Sequence, residues 1–173
     1  TLLNESFDAT PRAPVDQYLG MHVTRNRAQR LLAIDGRRHV RDFIHDMGYD
    51  HNATTTVRTP LDPNIVYSKE DCPEQVDVAL RAKVWSAHGK LIHLAVWTRP
   101  DLAHAVSVLG RYVHNPSEKL WQAYHRIAKY LIYTKDYRLV FGTVDPTGHL
   151  EPYGYTDSDW AADLDHRKST GAY

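Results

Sequence analysis

The stretch that decides the fold is "TRPDLAHAVSVLGRYVHNPSEKLWQAYHRIAKYL", residues 98–131. It reads as two amphipathic helices with one break. Pro100 suits a first helical turn, where its missing N–H is not needed, and Asp101 complements the positive end of the helix dipole. Leu102, Val106, Leu109 and Val113 make one apolar stripe, and Leu120, Tyr124, Ile127 and Leu131 make the next. "NPSE" separates them, with Ser117 placed as the N-cap of the second helix.

Upstream, residues 74–97 also follow a helical pattern, in one piece or in two around Gly89. Before them, residues 50–73 carry Pro60, Pro63 and Pro73. That length of connector predicts an extended crossing between subdomains. A further helix precedes it. Asp35 is its expected N-cap, Val40, Phe43, Ile44 and Met47 its apolar face, and Gly48 its end. Ahead of that helix, "VDQYLGMHVTRN" and "RLLAIDG" read as two short strands joined by a polar turn around Asn26.

After Thr134 the character changes. "YRLVFGTVDPTGHLEPYGYTD" reads as two strands around the turn "DPTG". The pattern is therefore α+β with segregated parts, and it divides at residues 1–50, 51–134 and 135–173. The chain opens at "TLLNESFDA" without a Met and stops at Tyr173 inside an apparent strand. Together the two ends read as a piece of a longer protein.

Composition narrows the function classes. The 173 residues are 42% hydrophobic, enough for a core, and carry 21 basic and 21 acidic side chains. Any nucleic-acid surface must therefore be local. Cys72 is the only cysteine, which excludes an internal disulfide framework and suits a reducing compartment. No apolar run reaches the roughly 18 residues of a membrane span. The 11 histidines include no His-Glu-x-x-His, and His88/His93 and His39/His45 are misplaced for one helical face. No Gly-x-Ser-x-Gly appears, and Cys72 precedes a proline in a polar connector.

Two groups of residues invite a site. The first is "GYTDSDWAADLDHRKSTGAY", residues 154–173, with Asp157, Asp159, Asp163 and Asp165. Asp157 and Asp159 share one face of a strand, a reasonable start for a Mg²⁺ site. A calcium loop fails on spacing: from Asp157 the sixth position is Ala162 and the twelfth Lys168, where Gly and Glu are needed. On the residues alone, a solvated acidic loop is the better reading. The second group is Arg25, Arg27 and Arg30, joined by Arg37, Arg38 and Arg41 on the next helix. Two readings stand side by side, phosphate contact and a solvated helix face. Trp85, Trp97 and Trp121 are expected to pack in the core rather than stack on bases.

"YTDSDWAADLDHRKST" resembles the opening of the ribonuclease H domain in the Pol polyprotein of copia-type LTR retrotransposons. "YLGMHV", "TPLDPN", "SKEDCP" and the run from Ala87 to Leu131 are similar to that family's segments in the same order. Ser-Thr-Gly-Ala-Tyr stands where Ser-Thr-Ser-Gly-Tyr is usual, and Val84-Trp85 replaces a Tyr-Arg pair.

The resemblance implies the end of a reverse transcriptase palm, a helical thumb and connection, and the truncated first strands of a ribonuclease H-like sheet. It implies Asp157 as a catalytic, Mg²⁺-binding aspartate, with the other ligands downstream. It also implies partners: an RNA–DNA hybrid or primer–template, the remainder of the polyprotein, and no membrane. The location implied is a cytoplasmic particle or the nucleus. Gly20 would let the backbone approach nucleic acid, or it is an ordinary strand glycine at a bulge. No Asp-Asp pair exists in the sequence, so polymerisation is not expected of this chain alone. Two further readings remain: a non-catalytic nucleic-acid-binding module and a degenerate relic.

Overall fold

The computed structural model of the protein describes residues 15–142, 154–158, 165, 168–169 and 171–172. The turn "DPTG", Asp159, Trp160 and Asp163 lie outside the described residues.

The chain begins with three strands, β1 (Gln17–Tyr18), β2 (Met21–Asn26) and β3 (Leu31–Asp35). The first expected strand is thus two strands with a reversal between them. Tyr18 pairs with Met21, so Leu19 and Gly20 alone make the turn. Both have positive φ, 49° and 81°. That is the two-residue hairpin geometry matching strand twist, and glycine adopts it without a Cβ penalty. β2 and β3 pair antiparallel from His22↔Asp35 to Asn26↔Leu31, leaving Arg27 to Arg30 as the turn.

Helix α1 (Arg37–Asp46) follows immediately. Its N-cap is Gly36, not Asp35. Asp35 is the last residue of β3, and from there its carboxylate still accepts the Arg37 backbone N–H at 3.3 Å. Only a residue without a side chain fits at 36, since a Cβ would sit 2.5 Å from Thr98 Oγ1. α1 ends as expected at Gly48, φ 79°. The Gly48 and Tyr49 amides donate to the His45 and Ile44 carbonyls, a Schellman closure.

Residues 50–73 do not cross between subdomains. They strap the helices. Tyr112 Oη donates to Tyr67 O at 2.9 Å, Asn115 Nδ2 to Pro73 O at 2.8 Å, and Arg126 pairs with Asp62 at 3.3 Å. These polar anchors add to the apolar contacts of Tyr67, which is in the core, and of Val57, Leu61 and Cys72, which pack against it.

Helix α2 (Val78–Trp97) is one piece. Asp77 caps it, accepting from the Ala79 and Leu80 amides. Gly89 does not break it, because Val84, Ala87, Leu91 and Leu94 on either side are buried in the core and a lone glycine costs only about 1 kcal/mol. Pro100–Leu102 form a 3₁₀ turn that leads into α3 (Ala103–Gly110). α3 stops before Val113, which is only half-buried. α4 (Glu118–Tyr133) starts where expected, with Ser117 Oγ accepting the Leu120 amide at 3.2 Å. Leu91, Leu94, Leu102, Leu109, Leu120, Ile127 and Leu131 are at most 1% exposed and form the centre of the core with Phe43 and Ile44. Each such side chain stabilises by roughly 1.5–3 kcal/mol.

β4 (Leu139–Phe141) corrects the expected division. Read as the start of a separate C-terminal part, it instead pairs antiparallel with β3, from Leu32↔Phe141 to Ile34↔Leu139. The sheet order is β1-β2-β3-β4. A three-residue strand cannot form a sheet of its own, and β3 offers it a free edge. β5 (Asp157–Ser158) and β6 (Gly171–Ala172) make a separate antiparallel pair.

Candidate nucleic-acid interface

The β2–β3 hairpin carries the basic tip. Asn26 organises it: its Oδ1 accepts the Gln29 amide at 3.1 Å and its Nδ2 donates to Gln29 Oε1 at 2.8 Å. Arg30 closes the turn with φ 53°. Arg25, Arg27 and Arg30 are all exposed, and with Asn26, Leu31 and Leu32 they line a shallow depression of about 760 Å³. No acidic residue occurs between Val23 and Ala33. Among the described residues none of the three arginines is in an ion pair, so the tip presents concentrated positive charge to solvent.

The helix arginines do not join them. β3 runs from the tip to α1, and its five residues separate the two by roughly 14 Å. Arg37 is committed to Asp35, with Nε and Nη2 at 2.7 and 2.6 Å from its two oxygens. Asp35 is 4% exposed. Burial pushes its carboxyl up, but the Arg37 hydrogen bonds and charge outweigh this and hold it below the usual carboxylate range. His22 Nδ1 lies 3.4 Å from the same carboxylate. Arg38 pairs with Asp42 at 4.0 Å. The six arginines of the sequence reading are thus one exposed trio and two partnered residues, with Arg41 exposed on α1.

Gly20 is neither at a bulge nor facing open space. A Cβ there would lie 2.7 Å from His39 Cε1. The close approach that the glycine permits is to that imidazole. His39 packs on His93 with ring centres 4.7 Å apart, and His93 on Trp97 at 6.0 Å. This ring ladder fastens the β1–β2 turn and α1 to α2. Burial and the neighbouring His93 keep the His39 imidazole below its ordinary pKa.

Asp157 lies in β5 opposite Ala172, exposed, with its Oδ1 accepting the Ser158 amide at 2.8 Å. Among the described residues no three His, Cys, Asp or Glu side chains converge as a metal site. The described residues by themselves therefore do not make up a two-metal centre. Asp165, from the same acidic stretch, is used otherwise. It accepts the Lys69 amide at 3.0 Å and, at 3.0 Å, shares the single Tyr112 hydroxyl proton with the Tyr67 carbonyl. A contact over that sequence distance leaves no local signal. Tyr155, two residues before Asp157, is 83% exposed. Trp85 and Trp97, expected in the core, are 49% and 45% exposed.

No family model matches the chain, and no solved structure matches it. Curated relatives do. Over 99% of its length it is 38% identical to the retrovirus-related Pol polyprotein from transposon TNT 1-94 of Nicotiana tabacum, covering 13% of that protein. Over 51% of its length it is 43% identical to the secreted RxLR effector protein 161 of Plasmopara viticola, covering 60% of it. Over 49% it is 39% identical to the retrovirus-related Pol polyprotein from transposon RE2 of Arabidopsis thaliana, covering 6% of it. The chain thus spans a small part of the two Pol polyproteins and 60% of the effector, less than two thirds of each. The two Pol polyproteins among them support a relationship to transposon Pol polyproteins.

Proposed function

We propose, from this relationship to transposon Pol polyproteins, that the chain is the stretch joining a reverse transcriptase to its ribonuclease H. Residues 15–35 and 139–141 would be the last palm strands, α1 to α4 the thumb and connection, and β5 with β6 the opening ribonuclease H strands. In the intact polyprotein it would serve RNA-templated DNA synthesis, holding a primer–template at the arginine tip. Hybrid cleavage would belong to the longer protein, with Asp157 as one Mg²⁺ ligand and the others supplied downstream.

The observation that carries this reading is the similarity over 99% of the chain to one Pol polyprotein. The antiparallel pairing of Asp157 with Ala172 is consistent with it. The test uses two proteins. The chain alone is expected to give no template-dependent primer extension and no cleavage of hybrid RNA. A version extended through the downstream Pol sequence is expected to cleave, and Asp157→Asn in it to lose that activity at least a hundredfold. Equal cleavage with Asn at 157 would remove the aspartate from the site.

The second reading, a non-catalytic nucleic-acid-binding module, is favoured by one observation, the exposed trio on the hairpin tip. It predicts salt-sensitive binding without any turnover.

A further inference from the structure

Helix α2 is apolar on two opposite sides. Val84, Ala87, Leu91, Leu94 and Ala95 face the core. On the far side Val78, Ala82, Trp85, Gly89, Ile92 and Val96 fall at intervals of three, four and seven, so they share one stripe. All six are exposed. Val78 is 66%, Trp85 49%, Ile92 44% and Val96 74% accessible. A Cβ placed on Gly89 would touch nothing. The stripe runs about 27 Å along the helix. One apolar side is accounted for by the core, and a second exposed apolar stripe of this length marks an interaction surface.

The stripe is already ordered for contact. Trp85 Nε1 donates to Val113 O at 2.8 Å, and the ring is held edge-on to His114 at 5.9 Å. The Arg81 guanidinium lies 5.3 Å from the Trp85 ring centre. A fixed tryptophan loses little freedom on binding and is the commonest kind of anchor.

Charge selects the occupant. The helix from Val78 to Trp97 has Arg81, Lys83 and Lys90 and no carboxylate. Lys90 is paired with Asp46 of α1, which leaves Arg81 as the cation that borders the stripe, beside Val78 and Trp85. A second copy of α2 would bring no carboxylate to meet Arg81. A nucleic acid would satisfy the cations but set phosphates against an aliphatic strip. We propose that this face docks an amphipathic helix of a partner polypeptide, apolar along one side and edged by carboxylates. The proposal does not depend on the polymerase reading.

The test uses two labelled synthetic helices with the same leucine stripe, one edged by Glu and one by Lys. Fluorescence anisotropy with the full chain should show the Glu-edged helix binding about tenfold or more tighter at low salt. Val96→Glu should weaken it by a similar factor, as should Val78→Glu. Both positions are so exposed that the fold should persist, which circular dichroism checks. Equal binding of the two helices, or binding unchanged by both variants, overturns the proposal. So does a dimer in sedimentation that Val96→Glu dissolves, which would make the occupant a second copy. Loss of RNA–DNA hybrid binding in Val96→Glu would assign the face to nucleic acid instead.

Discussion

Arg99 is the largest side chain in the interior, 2% exposed. Its fork holds Asp101 through Nε at 2.9 Å and Nη2 at 2.7 Å, and Thr134 Oγ1 through Nη2 at 2.6 Å. Nη1 reaches the Thr134 carbonyl at 3.3 Å, and the rings of Tyr130 and Tyr137 lie 5.6 and 5.4 Å away. One guanidinium thus ties the end of α2 to the end of α4. Arg99→Met leaves Asp101 without its counter-charge and should cost about 3–5 kcal/mol in urea unfolding. Arg99→Lys keeps the charge but not the fork, and should recover only part of that.

The same network sets an acid limit. Burial raises the Asp101 carboxyl, yet hydrogen bonds from Arg99 and Tyr130 more than reverse this and leave it below its ordinary value. Burial and Asp101 together push the Tyr130 hydroxyl up to about 12. A depressed carboxylate stabilises the fold above its unfolded pKa near 4, and that contribution is lost as pH falls through the folded value. Histidines act earlier. Burial is the main cause that holds His39, His88 and His125 below their ordinary value. The unfolded chain binds their protons first, so stability is full above about pH 6.5 and falls below it. Thermal unfolding between pH 7.5 and 3 should therefore decline in two stages. His88→Gln, which loses the ring held 2.9 Å from the Tyr124 hydroxyl, should shrink the upper one.

At the scale of elements, the hairpin tip makes the clearest claim. If its three arginines meet phosphates, replacing Arg25, Arg27 and Arg30 by Ala should lower the slope of log affinity against log salt by about 2–3 on a primer–template hybrid. Replacing Arg37 and Arg38 should leave the slope alone, because both are already paired with carboxylates. A slope unmoved by the tip variant would separate the hairpin from nucleic acid.

The elements also show what sequence patterning can carry. The stripes of α3 and α4 and the Ser117 cap were legible because helical spacing and capping are local. The arginine trio was legible because its members sit within six residues, Arg25 near the end of β2 and Arg27 and Arg30 in the turn that follows. Its separation from Arg37 and Arg38 was not, since strand direction rather than sequence distance decides it. The exposure of Trp85 and Trp97 escaped for a related reason. A helix with apolar stripes on two opposite sides gives no phase by which to tell its buried side from its open one. Gly36 and the buried Arg99 escaped because each answers to a partner far along the chain.

At the scale of the whole molecule, β4 binds the late part of the chain to its beginning. A chain shortened to end at Arg138 would keep α1 to α4 but leave the β3 edge unpaired. It should self-associate with rising concentration in light scattering where the full chain does not, because open strand edges template pairing. That edge has a history in time as well as a place in space. During synthesis β3 emerges roughly a hundred residues before the strand that covers it, which at ribosomal speed is a wait on the order of 5–20 s. Throughout that wait the nascent chain displays a bare strand, and neighbouring ribosomes on one messenger would display the same one. The pairing of Leu32 with Phe141 therefore sets a vulnerable interval in the birth of the protein, one that ends only when the last helix has folded and its tail turns back.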